Sequence, residues 1–388
     1  METVPVQKVD APMKRLIWFS EIKWDYLVTR KQQILNRFPA DIKILFIEPF
    51  VLGKRQHWFP KRHGNITVIT VPFLKTIPQP LISSLLNFRP VRWVFGIAGA
   101  LYFKFISGLL GFSGRNRVIG LSSVFWGKVA ARQRATLHFY DANDAHLDFP
   151  GNPSWLEEYL KTYLSVADLC FSVSPEISNS IESLGAQNIH LLGNGVDFEH
   201  FSTLQPRPDR LKSITKPILG YAGAMDWLDS ELIREVCRAY TDHEIILIGP
   251  EIRPGWFENQ PAFKGLDNLS YLGKVSYQDL PAYVQTFNIA LIPFVVDELT
   301  RPLNPNKLYE YSAAGKAVVS MNYSSTIDAL REIIFVGRSR AEFVSQIRSA
   351  SENHQPELSL DLARGNSWDE IALNMQRTIQ RELSRKQA

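Results

Sequence analysis

Residues 302–319 read PLNPNKLYEYSAAGKAVV. A proline-bearing loop leads into a helix-forming run at 306–314. The small residues Ala313, Ala314 and Gly315 allow close packing, and a short apolar strand follows at 317–320. The same strand–helix beat extends outward on both sides. Upstream lie apolar runs at 218–222, 244–248, 269–272 and 289–293, with a helical pattern around 230–240. Further back, strands are predicted at 16–20, 43–48, 66–72, 118–125, 137–140, 169–173 and 190–192, with a helix at about 29–38. Near-continuous apolar strands spaced by helix-length segments indicate parallel sheets covered on both faces. The fold class is therefore α/β, with the beat interrupted by a polar, proline-bearing stretch at 204–216 (LQPRPDRLKSITK). That break predicts two Rossmann-like doubly wound domains, 1–204 and 205–365. A last helix near 368–383, within 366–388, would pack back on the first domain. Two such sheets are expected to hold ligand in a cleft at the carboxyl ends of their strands.

The chemistry concentrates in four segments. Glu310 lies three residues after Lys307, so the two share a helix face near its N-terminal end. A carboxylate there can accept hydrogen bonds from vicinal hydroxyls such as a ribose diol. Lys307, Arg301 and the helix N-terminus can offset phosphate charge. An ordinary amphipathic helix with a surface ion pair fits the same spacing. In 218–229 (ILGYAGAMDWLD), Gly223 would let backbone approach a diphosphate, while Asp226 and Asp229 would cap the next helix. A plain tight turn would look alike. In 139–149 (FYDANDAHLDF), Asp141, Asp144, His146 and Asp148 gather just after a strand. They could bind a metal, form a solvated capped turn or act as an acid/base set. The last reading makes Asp144 the base, oriented by Asp141 or His146. Finally, 21–30 (EIKWDYLVTR) follows the first strand at its carboxyl end, either as an acceptor-side loop or as a surface loop with one buried tryptophan.

These segments resemble GT-B glycosyltransferases, in particular the family 4-like and bacterial exopolysaccharide-type branches. Glu310 matches the ribose-binding glutamate of a Glu-x-x-Ala-x-Gly-x-Pro-Val-like signature. Ala317 stands in place of its proline, and Pro302 where many members carry a second glutamate. Residues 192–201 resemble the NGVD-x-x-x-F run, Lys274 and Val275 the loop that reads the nucleotide base, and 366–369 the start of a crossover helix. Trp24, Asp25, Arg30 and Gln33 resemble a loop of bacterial polysaccharide transferases. Asp144, in a Tyr-x-Ala-x-Asp context, resembles the catalytic aspartate of a membrane-associated glucuronosyltransferase family. The resemblance implies sugar transfer from a nucleotide-diphosphate donor to a saccharide or lipid-linked hydroxyl, in cell-surface polysaccharide or glycolipid synthesis. Gly223, Arg301 and Lys307 would hold the diphosphate, with no metal and no cofactor beyond the donor. A nucleotide-sugar epimerase shares the architecture. A non-catalytic binding subunit remains the reading that Pro302 favours.

Composition bounds the rest. The 388 residues are 45% hydrophobic and 21% charged, with a net charge of +4, so disorder, collagen and a dedicated nucleic-acid binder are excluded. Cys170 and Cys237 are too far apart in sequence to make metal-ligand spacing, and such sparse cysteine fits a reducing compartment. The first fifteen residues lack a signal-peptide pattern, so a cytoplasmic location is expected. Aromatics are abundant, at 23 Phe, 13 Tyr and 9 Trp. Several fall in 93–112 (WVFGIAGALYFKFISGLLGF), whose only charge is Lys104 and whose flanks carry Arg89, Arg92, Arg115 and Arg117. This segment could be a core helix, a membrane span or an interfacial helix. The interfacial reading would make the protein peripheral on the cytoplasmic face of a membrane.

Overall fold

The computed structural model describes residues 13–26, 28–51, 53–76, 87–114, 116–149 and 151–387. Residues 1–12 and Arg115 lie outside that set, so the reading of the extreme N-terminus and of one flanking arginine does too. The chain divides into two compact units. Unit 1 takes the described residues up to Val173, Ile177–Leu192 and those from Ile371 on; unit 2 takes Ser174–Glu176 and Gly193–Glu370. The passage at Leu192 to Gly193 precedes the proline-bearing stretch at 204–216.

In unit 1 the order is β1 (Arg15–Phe19), α1 (Arg30–Leu35), β2 (Lys43–Val51), β3 (Lys61–His63), β4 (Ile66–Thr76) and α2 (Arg89–Leu109). Then come β5 (Val118–Leu121), β6 (Leu137–Ala142), α3 (Leu156–Leu164), β7 (Leu169–Ser172), α4 (Pro175–Ser183) and β8 (Ile189–Leu191). The sheet order is β3-β4-β2-β1-β5-β6-β7-β8. Every pairing is parallel except β3 on β4, where Lys61 faces Val68 and His63 faces Ile66. That antiparallel edge escapes the sequence reading because Lys-Arg-His shows no apolar alternation. The inner strands are buried along their length: all of β5, β6 and β7, and four of five residues in β1. Apolar strands are stable here because helices cover both faces.

Unit 2 runs β9 (Ile218–Ala222), α5 (Ser230–Ala239), β10 (Glu244–Ile248), β11 (Leu269–Tyr271), α6 (Leu280–Thr286), β12 (Ile289–Ile292) and α7 (Asn306–Ala313). It continues with β13 (Ala317–Met321), β14 (Phe335–Gly337), α8 (Arg340–Asn353) and α9 (Pro356–Gly365), and α10 (Trp368–Gln387) crosses into unit 1. The sheet order β11-β10-β9-β12-β13-β14 is parallel throughout. Strand order reverses between β9 and β12 here and between β1 and β5 in unit 1. In such sheets ligands bind outside the carboxyl ends of the strands at that reversal. Helix α10 contributes Met375, Ile379 and Leu383 as buried residues.

The apolar segment 93–112 forms most of α2. Its buried stripe is Arg92, Gly96, Gly99, Phe103 and Ser107, and Phe103 packs 4.8 Å from the Phe19 ring centroid. Trp93, Phe95, Leu101, Phe105 and Leu109 are exposed. No helix among the described residues is long and apolar enough to cross a membrane.

Candidate functional site

In unit 2 the site starts where β9 ends. Gly223 donates its N–H to the Ile248 carbonyl at 2.8 Å, and a Cβ on Gly249 would lie 1.9 Å from the Gly223 oxygen. Gly249, at φ +141°, follows β10 in a conformation that glycine tolerates. Two strand ends thus meet backbone to backbone, and the Tyr221 hydroxyl borders the space above Gly223. Lys307, in the first turn of α7, reaches into that space. Its Nζ lies 4.7 Å from the Phe294 ring centroid and 5.6 Å from that of Tyr221, and its Cε would touch a Cβ on Gly223 at 2.7 Å. The Lys307 ammonium thus stands beside bare glycine backbone, a suitable arrangement for an oligophosphate.

Glu310 lies one turn further along α7. Burial pushes the Glu310 carboxyl well above the ordinary carboxylate range, with the Lys307 charge opposing the shift. Burial likewise lowers the Lys307 ammonium, and Glu310 opposes that shift. Each group is short of solvation that a polar ligand could restore. The simple exposed ion pair allowed by the sequence is therefore not what this helix presents.

The remaining donor-side candidates are more peripheral. Arg301 is exposed and pairs with Glu298 at 3.3 Å. Lys274 is exposed beside Gly273, whose φ is +71° and whose carbonyl accepts from the Gly249 N–H at 2.9 Å. Val275, half-buried, packs against the unit 2 core. Asp229 caps α5 as expected, accepting from the Glu231 and Leu232 N–H groups at 3.1 Å. Asp226 does not cap it. It instead accepts from the Ile252 N–H at 2.6 Å and Arg253 Nε at 2.8 Å. Pro302 is buried, and its carbonyl accepts from Ser174 Oγ at 2.8 Å. Packing occupies the position where the resemblance would place a second carboxylate.

Unit 1 has its own polar centre at the carboxyl ends of β1, β5 and β6. Sequence reading passed over the residue that anchors it, Glu21. Its carboxylate pairs with Lys31 of α1 and accepts from Ser122 Oγ at 2.9 Å; Ser122 also accepts from Trp18 Nε1 at 3.0 Å. Burial works against the charge, but Lys31 and the His146 ring hold Glu21 down at about 2. Asn143, with its amide oriented to satisfy both neighbours, accepts from Lys31 Nζ at 3.3 Å and donates to the Asp141 carbonyl at 3.2 Å. His146 Nε2 lies 3.3 Å from the same amide. Asp144 is half-buried, and its Oδ1 accepts the Ala145 N–H at 2.9 Å. Burial raises the Asp144 carboxyl above its ordinary value, against the pull of His146 and that N–H. A carboxyl raised in this way suits a general base.

The other unit 1 candidates are engaged internally. Asp141 is fully buried, with its oxygens 3.3 Å from Arg30 Nε and Oδ1 3.2 Å from Arg30 Nη2. It therefore anchors Arg30 of α1, and Arg30 is interior rather than displayed on a surface. Trp24 is buried against Phe46, with centroids 4.9 Å apart, and His63. Asp25 is half-exposed and pairs with Lys61 at 2.8 Å and His57 at 3.3 Å. Gln33 accepts from Arg37 Nη1 at 2.7 Å. Asp148 is exposed. Among the described residues no group of three or more His, Cys, Asp or Glu converges as metal ligands.

The two sheets, each with one reversal of strand order, define a GT-B-fold protein. Residues 216–353, within unit 2, match the family Glycosyl transferases group 1. In sequence the chain is similar to TuaH of Bacillus subtilis (strain 168), assigned to teichuronic acid biosynthesis as a glycosyltransferase. The two are 26% identical over 195 residues, 48% of this chain and 49% of TuaH. The match thus spans about half the length of that curated relative. In structure the chain is similar to sucrose-phosphate synthase from Thermosynechococcus elongatus, with TM-score 0.69 and 13% identity over 96% of this chain and 100% of that one. It is also similar to Anabaena HepE in complex with UDP, with TM-score 0.66 and 15% identity over 95% and 99%. These solved structures share the fold.

Proposed function

We propose that this protein is a glycosyltransferase that moves a sugar from a nucleotide-diphosphate sugar to a hydroxyl of a saccharide or lipid-linked acceptor in cell-surface polysaccharide synthesis. The observation that carries the reading is the placement of Lys307 against the Gly223 backbone, with the buried Glu310 three residues on along the same helix, inside the region that matches the glycosyltransferase family. TuaH, through its assignment to teichuronic acid biosynthesis, supports the pathway class, and the UDP bound by HepE supports a nucleotide-sugar donor.

In this mechanism Glu310 accepts hydrogen bonds from the ribose diol. Lys307, Arg301 and the N–H groups near Gly223 meet the diphosphate, and the loop at Lys274 and Val275 meets the base. The acceptor oxygen bonds to the anomeric carbon as the bond from that carbon to the diphosphate oxygen breaks. Asp144 takes the acceptor proton, and the electron pair leaves on the nucleoside diphosphate, whose charge Lys307 stabilises. The step needs neither metal nor cofactor beyond the donor. Asp141 and Asn143, through Arg30 and Lys31, fix the loop that carries Asp144 and His146. Contact through 93–112 would keep the protein peripheral on the cytoplasmic face of a membrane. The deciding experiment is a thermal-shift screen with UDP-, GDP- and dTDP-sugars on wild type and Glu310→Ala. A ligand that binds only the folded chain raises its melting temperature. An equal shift in both proteins would remove the donor assignment.

A further inference from the structure

We infer that unit 1 docks on an anionic lipid bilayer through two elements, the outward face of α2 and the segment at residues 53–64, a loop that runs into β3. This names the partner of the peripheral contact proposed above and extends it to a second segment.

The reasoning begins with charge. From residue 49 to residue 140 the sequence contains no Asp or Glu, yet it carries thirteen Lys and Arg. Against a whole-chain balance of +4, the rest of the molecule is net acidic. Basic charge is thus gathered in the part of unit 1 that holds both elements. Juxtamembrane basic residues are attracted to anionic lipid, each adding a modest increment near the surface.

Shape is the second observation. Helix α2 turns its large apolar side chains the wrong way for a helix that serves only its own core. Its inward stripe is mostly small or polar, whereas Phe105 is 63% exposed and Leu109 69%. Arg89 and Lys104 are exposed on the same helix. The loop 53–64 (GKRQHWFPKRHG) shows the same pairing of basic and aromatic groups: Phe59 is 86% exposed, Trp58 48%, and Lys54, Arg55 and Arg62 are exposed around them.

Third, this loop is pinned from beneath. His57 is buried, its N–H donates to Thr70 Oγ1 at 2.7 Å, and its Nδ1 lies 3.0 Å from Oε1 of the buried Glu48. Lys23 bridges Glu48 at 2.8 Å and Gln56 at 2.9 Å. With Gln56 and His57 held inward, Trp58 and Phe59 are thrown outward, and Trp58 stacks on Phe50 at 5.8 Å. A loop ordered in this way loses little conformational freedom when it inserts. Aromatic rings and snorkelling basic side chains are what the boundary between headgroups and acyl chains accepts. A second copy of this chain fits the surface poorly, because a two-fold contact would set basic residues against basic residues.

The test is co-sedimentation of the full chain with vesicles of phosphatidylcholine alone or mixed with phosphatidylglycerol. Two variants are compared, Phe105→Ser/Leu109→Ser in α2 and Trp58→Ser/Phe59→Ser in the loop, both checked by thermal melting. Wild type is expected to bind the mixed vesicles, and each variant to bind on the order of 10-fold more weakly. Raising the salt should also weaken binding, because exposed charges are screened. The inference is overturned if wild type stays in solution with mixed vesicles, binds neutral vesicles equally well, or binds as tightly as both variants. Concentration-dependent dimerisation that the α2 variant abolishes would overturn it too, in favour of a second copy. Neither variant touches Gly223, Lys307 or Glu310. A sugar-nucleotide shift that persists in both therefore separates failure of the docking from failure of the transferase reading.

Discussion

In the proposed reaction Asp144 and Lys307 have opposite tasks, and their protonation should report them separately. A raised base accepts a proton only once it has lost its own, so turnover should climb with pH through the Asp144 range. Asp144→Asn should lower transfer by roughly 10²–10⁴-fold while leaving the donor-induced thermal shift intact. Steady-state rates and melting curves on one preparation check both. The Lys307 ammonium, lowered by burial, loses charge as the solution turns alkaline. Donor affinity should therefore fall with rising pH in wild type and fall less in Lys307→Arg, whose guanidinium keeps its charge. Titration calorimetry with a nucleoside diphosphate across neutral to alkaline pH would show this. Glu310→Ala should weaken the donor by about 10–100-fold, the loss of one or two hydrogen bonds to a carboxylate.

At the scale of elements, single substitutions should cost most at the strand ends and at α1. A Cβ on Gly249 would collide with the Gly223 carbonyl, and the +141° φ is costly for any other residue. Gly249→Ala should cost about 2–4 kcal/mol in denaturant unfolding and abolish donor binding together with it. The Glu21–Lys31 pair joins the end of β1 to α1. Glu21→Gln removes the counter-ion of the buried Lys31 and should cost about 3–5 kcal/mol. The Glu21 carboxyl sits at about 2 against an ordinary 4.5, so its contribution is complete above the ordinary value. It is lost as pH falls toward the folded one. Acid unfolding of wild type and the variant should converge in that window. The sequence revealed the parallel strands because burial on both faces demands continuous apolar runs. It also singled out Lys307 and Glu310, three residues apart on one helix, and Gly223 in the turn after a strand. Glu21 was hidden because its partners, Lys31 and Ser122, come together only when a helix and a neighbouring strand end meet the end of β1. Lys61–His63 was hidden because its polarity follows the sheet edge rather than a core.

Across the whole molecule, charge and stability are unevenly shared. Donor should protect unit 2 first, since every donor-side residue named here belongs to it. Hydrogen exchange with and without a nucleoside diphosphate should slow amides after β9 and in the first turn of α7, with much smaller changes in β2 and β4. Uniform slowing over both units would argue against that assignment. Helix α10 has a consequence for assembly of the chain itself. Unit 2 is nearly continuous in sequence, so a ribosome can finish its core while the last helix is still unmade. Unit 1 must wait for the residues from Ile371 on, keeping the place of Met375, Ile379 and Leu383 unfilled until they emerge. The half whose strands are made first is thus the half completed second.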